Sequence, residues 1–209
     1  MKNILCFGDS NTFGTNPAGG RWPRDIRWTG QLQMLLGEEY YVIEEGCGGR
    51  TTVWEDDLEL HKNGRKALPV ALASHKPLDL VILMLGTNDC KARFSLLPED
   101  IANGAGELVE LIRQYPYGAE YPVPEILLVS PIEIGENIAH SKFTGFRAAA
   151  HELSRKLPAL YRKKAEELHC GYFDASSVAK PSAGDSLHME AASHRMLSHA
   201  LAEWITARL

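Results

Sequence analysis

Ile4-Leu5-Cys6-Phe7-Gly8-Asp9-Ser10-Asn11 is a short apolar run that ends at a glycine and leaves a serine just past its end. An uninterrupted apolar run of this length marks a strand buried on both faces, as in a parallel sheet covered by helices. The same pattern recurs along the chain, and strands are predicted over residues 3–7, 40–44, 78–85, 125–130 and 171–174. Amphipathic stretches alternate with them, which predicts an α/β domain built on a flavodoxin-like sheet of five parallel strands.

The helices are read from spacing. Thr29 is a candidate N-cap, Trp28, Leu32, Leu35 and Leu36 form an apolar stripe, and Gly37 supplies a stop. Pro98 opens a second helix, in which Ile101, Ala105, Leu108, Leu111, Ile112 and Tyr115 recur on one face. A third pattern runs from about Thr144 to His169, with a kink expected at Pro158. The last, from about Met189, carries Leu197, Leu201, Trp204, Ile205 and Leu209. Two connections, residues 14–28 and 131–145, are long enough to serve function as well as chain closure. Their apolar residues, Trp22 and Trp28 in one and Ile132, Ile134, Ile138 and Phe143 in the other, suit a pocket wall, loop packing or a subunit contact.

With 209 residues, 44% of them hydrophobic and 23% charged, the chain is expected to form a single domain, 1–209, around one substantial core. A net charge of -5 offers no basic face for nucleic acid, and the cluster Arg162-Lys163-Lys164 is followed at once by Glu166 and Glu167. Cys6, Cys47, Cys90 and Cys170 show no C-x-x-C spacing, as expected of reduced thiols in a cytoplasmic protein. No apolar run approaches the roughly 18 residues that cross a bilayer, and no signal-like segment precedes the first strand, so no membrane partner is expected. His188, His194 and His199 stand six and five residues apart, which scatters them around a helix, so no metal site is expected and the latter two read as surface or boundary residues.

Chemistry gathers where an open α/β sheet puts its ligands, beyond the carboxyl ends of the strands. Gly8-Asp9-Ser10 follows the first strand, Gly46-Cys47-Gly48-Gly49-Arg50 the second, Gly86-Thr87-Asn88-Asp89 the third, and Asp185 with His188 comes after the fifth. Each motif alone is an ordinary turn or cap. Together, in this order, they supply what acyl transfer needs. Ser10 is the candidate nucleophile, His188 its base and Asp185 the group orienting that base. The backbone N–H groups of Ser10 and Gly49 and the side-chain amide of Asn88 are candidate oxyanion donors. No cofactor is called for. Such a base must be neutral to accept the serine proton, so activity is expected to fall as acid charges the imidazole. Asp9 and Asp89 are expected to shape turns by accepting from backbone N–H groups. Arg50 is expected to meet an acidic substrate or an internal carboxylate, and Cys47 has no role. A dinucleotide fingerprint at Gly46-x-Gly48 fails for want of its third glycine, Thr51 standing there instead.

These blocks, spread over residues 8–188, resemble those of SGNH hydrolases in the GDSL esterase superfamily. The resemblance assigns the family's serine to Ser10, its oxyanion glycine to Gly49, its asparagine to Asn88, its acid to Asp185 and its histidine to His188. It implies a three-layer α/β/α sandwich. More closely, residues 4–10, residues 42–46 with Arg50-Thr51-Thr52, and residues 84–89 followed by Lys91-Ala92 resemble the arylesterase and acyltransferase branch. That branch acts on small acyl esters, and some members pass the acyl group to alcohols or peroxide. It implies a homo-oligomer, for which Ile134, Ile138 and Phe143 are candidate exposed contacts. Two departures stand out: Asn11 replaces the leucine of the GDSL signature, and Glu44 stands where many members carry asparagine. The expectation is a cofactor-free serine esterase for short-chain acyl esters, aryl esters included, with a small ester as its partner. The alternatives are a carbohydrate (xylan or oligosaccharide) acetyl esterase and, from another class, a non-catalytic module that binds a small ligand.

Overall fold

A computed structural model describes residues 1–209. Its strands are β1 (Lys2–Gly8), β2 (Tyr40–Gly46), β3 (Leu80–Met84), β4 (Glu125–Ser130) and β5 (Gly171–Asp174). Its helices are α1 (Ser10–Phe13), α2 (Trp28–Leu36), α3 (Gly64–His75), α4 (Pro98–Gln114), α5 (Ala149–Ser154), α6 (Leu157–Glu167) and α7 (Ala191–Thr206). All five strands pair in parallel, in the order β2-β1-β3-β4-β5. This is the doubly wound, three-layer α/β/α sandwich that the sequence predicts.

Alternate residues of each strand face opposite layers, and the core divides accordingly. Leu5, Phe7, Val81, Leu83 and Leu128 pack with Leu68 and Leu72 of α3, Ile101, Leu108 and Ile112 of α4, and Tyr161 of α6. Ile4, Cys6, Ile82, Met84 and Val129 pack with Trp28 and Leu32 of α2 and with Leu197, Leu201 and Ile205 of α7. A strand buried on both faces cannot alternate apolar with polar residues, which is why β3 reads as an unbroken run. No helix is long and apolar enough to cross a membrane.

Several details differ from the sequence reading. Thr29 does not cap α2; the cap position is Arg27, and Thr29 is buried within the first turn. The helical pattern of residues 144–169 is two helices, α5 and α6, parted just before Pro158, whose ring cannot donate the bond that would continue the first. Helix α3 has no counterpart in the sequence reading. Its apolar stripe is short and Pro69 lies inside it. Topology supplies the missing signal, because parallel strands β2 and β3 require a crossover segment between them.

Strand β1 is the switch point of the sheet. After β1 the chain turns toward the β2 edge, and after β3 it turns toward β4, so the loops leaving these neighbouring strands diverge and open a crevice. Register aligns the exits: Gly8 lies beside both Gly46 and Met84.

Candidate active site

Ser10 is the first residue of the one-turn helix α1, whose cap is the preceding Asp9: Oδ1 accepts from the Asn11 N–H at 2.9 Å. The turn folds back so tightly on β1 that a Cβ at Gly8 would sit 2.1 Å from Thr12 Oγ1 and 2.8 Å from the Met84 carbonyl oxygen. Only glycine fits there. Gly49 has φ +82, the left-handed region open to glycine at little cost, and its N–H is free of backbone acceptors. Asn88 starts a one-turn 3₁₀ helix after β3, and its Nδ2 donates to the Arg50 carbonyl at 3.1 Å.

Asp89 stitches these two segments together. Its carboxylate accepts from the Thr52 N–H at 3.0 and 3.1 Å and from the Thr52 hydroxyl. Asp9 and Asp89 thus both shape turns through backbone N–H groups, as the sequence reading expects. Burial raises both carboxyls; for Asp89, with the nearby Asp9 charge adding to it, this outweighs the Thr52 hydrogen bonds and pushes the pKa up to about 6 from 3.8. Between those values the folded protein keeps a proton that the unfolded chain releases. The Asp89 contribution to stability is therefore full below about pH 4 and is lost as pH rises through about 6, a swing of about 3 kcal/mol. Asparagine carries no such proton. The stability of Asp89→Asn relative to the parent is therefore expected to improve from pH 4 to pH 7, read by urea denaturation at both; a pH-independent difference would refute the assignment.

Beyond β5, Asp185 and His188 occupy one tight turn. His188 Nδ1 lies 2.7 Å from Asp185 Oδ2, while Oδ1 accepts from the backbone N–H groups of Leu187 and His188, each at 2.9 Å. Both residues are buried. Burial works to raise the Asp185 carboxyl, but the hydrogen bonds from His188 and the two backbone groups prevail and hold it below its ordinary value. The Phe143 ring meets the imidazole edge to face, with centroids 5.2 Å apart.

One cavity of about 400 Å³ brings Ser10, Gly49, Asn88 and His188 together. Asp185 stands behind the imidazole. No hydrogen bond joins Ser10 Oγ to His188 Nε2; both are free of protein partners. The only apolar side chains on the cavity wall are Phe143, Phe146 and Leu187, while Glu59, Lys91, Arg93 and Lys142 contribute charge.

The fold also shows what fixes the histidine turn, which the sequence reading misses. Asn11, next to the serine, donates from Nδ2 to the Leu187 carbonyl at 3.2 Å and accepts at Oδ1 from the Met189 N–H at 3.0 Å. Its amide therefore grips the residues on either side of His188. Trp22 Nε1 donates to the Met189 carbonyl at 3.2 Å, and the Gly135 N–H donates to the Ser186 carbonyl at 2.8 Å. The departure from the GDSL signature at position 11 is the one signal the sequence carried. Glu44, the other departure, accepts from Arg24 at 3.1 Å and Arg27 at 2.5 Å and pairs with Arg21 at 3.5 Å, fastening the first long connection.

Other expectations are corrected. Ile134 and Ile138 are buried in the domain's own core, and Phe143 lines the cavity, so these residues do not form an exposed assembly surface. His194 is not a surface residue: it is fully buried, its Nδ1 accepts from the Trp28 N–H at 3.2 Å, and burial lowers its pKa to about 4, keeping it neutral. His199 is exposed. Arg50 does not line the cavity and pairs with no carboxylate side chain. It is buried over the Phe7 ring and donates to the carbonyls of Gly8 and Glu45. No group of His, Cys, Asp and Glu side chains is arranged to hold a metal ion.

The family model for GDSL-like lipase/acylhydrolases matches residues 6–196. The chain belongs to the GDSL-like lipase/acylhydrolase family. As a member it is a carboxylic ester hydrolase with the SGNH hydrolase fold. Among solved structures, the aryl esterase of M. smegmatis superposes with a TM-score of 0.94 at 40% identity, covering 100% of both chains. The carbohydrate acetylesterase Est24 of Sinorhizobium meliloti does so with a TM-score of 0.94 at 37% identity, again over 100% of both. A curated relative, the uncharacterized lipoprotein YqeF of Bacillus subtilis, is 30% identical over 88 residues, which is 42% of this chain and only 32% of that protein's length.

Proposed function

We propose that this GDSL-family hydrolase is a serine esterase for short-chain acyl esters, aryl esters among them. The observation that carries the reading is the single cavity shared by Ser10, Gly49, Asn88 and His188, with Asp185 bonded to the far side of the imidazole. In this reading Ser10 Oγ attacks the ester carbonyl carbon while His188 Nε2 takes its proton. The tetrahedral oxyanion is held by the N–H groups of Ser10 and Gly49 and by Asn88 Nδ2, each donor of this kind being worth roughly 3 kcal/mol or more in the transition state. Collapse expels the alcohol, which takes the proton from His188 and leaves an acyl-serine. Water activated by the same imidazole then releases the acid and frees the serine; an alcohol in its place gives acyl transfer.

Two phenylalanines and one leucine on an otherwise polar wall cannot shelter a long acyl chain. Across p-nitrophenyl esters, kcat/KM is expected to be highest for acetate to butyrate and to fall by roughly tenfold or more by octanoate. A maximum at octanoate or beyond would reject the short-chain reading.

The same polarity favours a second reading, removal of acetyl groups from carbohydrate. Acetyl adds little more than a methyl group beyond the reacting carbon, so most of the cavity must accommodate the alcohol part. A wall carrying Glu59, Lys91, Arg93, Thr15 and Thr144 is suited to a polyhydroxylated one.

A further inference from the structure

Glu59 belongs to a charged quartet that the acyl-transfer chemistry leaves unused. Asp56 is fully buried; it accepts from Arg93 at 2.6 Å and from Lys91 at 3.5 Å. Glu59 Oε1 accepts from Lys91 at 2.7 Å and from Arg93 at 2.6 Å. Two cations and two anions cancel, so the quartet adds little net field to the oxyanion site, and it ties residues 56–59 to the segment just past Asn88. Lys91 is itself buried, which makes the attachment firm. With both cations on Oε1, Glu59 Oε2 is left without a hydrogen bond.

That free oxygen has a defined place. Glu59 lines the cavity holding Ser10 and His188, and a Cβ built on Gly49 would lie 2.7 Å from Oε2. It therefore stands beside the backbone that offers the Gly49 N–H. Burial acts to raise the Glu59 carboxyl, but the hydrogen bonds from Lys91 and Arg93 prevail and hold it below its ordinary value. The oxygen is then an acceptor only, on a side chain that lines the cavity and is clamped through its other oxygen.

We propose that Glu59 Oε2 is a specificity-determining acceptor for a hydroxyl on the alcohol part of the substrate, so that the enzyme favours acetyl esters of polyhydroxylated alcohols. The inference rests on the esterase reading above and names the substrate class for that site. A carboxylate held by two cations stays put when a substrate arrives, so a hydroxyl donor gains a charge-assisted bond without first ordering the side chain. An anionic group would be repelled from this oxygen, so the group it selects is a neutral hydroxyl.

The test compares cyclohexyl acetate with 2-hydroxycyclohexyl acetate, esters of similar bulk that differ by one hydroxyl, in the parent, Glu59→Gln and Glu59→Ala enzymes. The parent is expected to favour the hydroxy ester in kcat/KM by roughly tenfold, the size of a hydrogen bond to a charged acceptor. That ratio should shrink in Glu59→Gln, whose amide oxygen stays on Lys91 and Arg93 and turns a donor NH₂ into the place of Oε2, and approach unity in Glu59→Ala. A parent ratio within twofold of unity overturns the proposal, as does a ratio that survives in both variants. Thermal melting checks that the variants fold; if neither does, the parent ratio decides alone. Ser10→Ala on both esters separates the two layers of inference, because retained turnover there refutes the serine-esterase mechanism built on Ser10, whereas its loss with a parent ratio of unity refutes only the role of Glu59.

Discussion

Ser10→Ala is expected to lower kcat on p-nitrophenyl acetate by roughly 10⁴ to 10⁶-fold, with the protein still folded. The hydroxyl makes no hydrogen bond that the fold depends on, and alanine suits the first turn of a helix as well as serine does. The loss is that of the nucleophile alone. Remaining activity would come from the oxyanion donors acting on a water molecule in place of the serine. A phosphonate ester read by mass spectrometry gives an independent check: the parent should gain one covalent adduct and the variant none. Ester cleavage that persists in pure Ser10→Ala at even a tenth of the parent rate would remove Ser10 from the mechanism.

Asp185→Asn is expected to cost roughly 10⁴-fold in kcat at neutral pH, and the hydrogen-bond geometry gives the reason. Asp185 Oδ1 accepts from two backbone N–H groups, so in the variant the amide oxygen is held at that position. The amide NH₂ is then left facing His188 Nδ1, where Oδ2 stood at 2.7 Å. An NH₂ group can only donate, so Nδ1 must become the acceptor and the ring proton moves to Nε2. An imidazole protonated at Nε2 cannot take the serine proton. Little structural change is expected, because the side chains match in shape and the backbone bonds survive. The check pairs kcat with an NMR measurement of the His188 tautomer; full activity with Nε2 protonated would overturn the role given to His188.

Much of this site was legible in one dimension because its parts are short and each follows a strand. Gly8-Asp9-Ser10 and Gly86-Thr87-Asn88-Asp89 announce themselves as strand exits, and parallel pairing in register brings such exits to one rim. The Asp185 to His188 step is local as well, since a single turn closes that hydrogen bond. Helix α3 was hidden by Pro69 and a thin apolar stripe. Ile134 and Ile138 were misplaced because a loop residue's burial depends on what packs over it, which periodicity cannot report.

The sequence by itself determined the five strands, the two-sided burial that makes β1, β3 and β4 read as apolar runs, and the order in which the candidate nucleophile, amide, acid and base leave the sheet. These follow from patterns that repeat within about ten residues, the range over which hydrophobic spacing carries information. Only the tertiary structure decided that Asn11 grips the backbone on both sides of His188, that Glu44 binds three arginines, and that Glu59 reaches the cavity with one oxygen free. The Asn11 bonds join residues 176 and 178 positions apart. Polar pairs of that separation leave no periodic trace, because each partner obeys its own local rules and their meeting depends on how the layers of the sandwich pack.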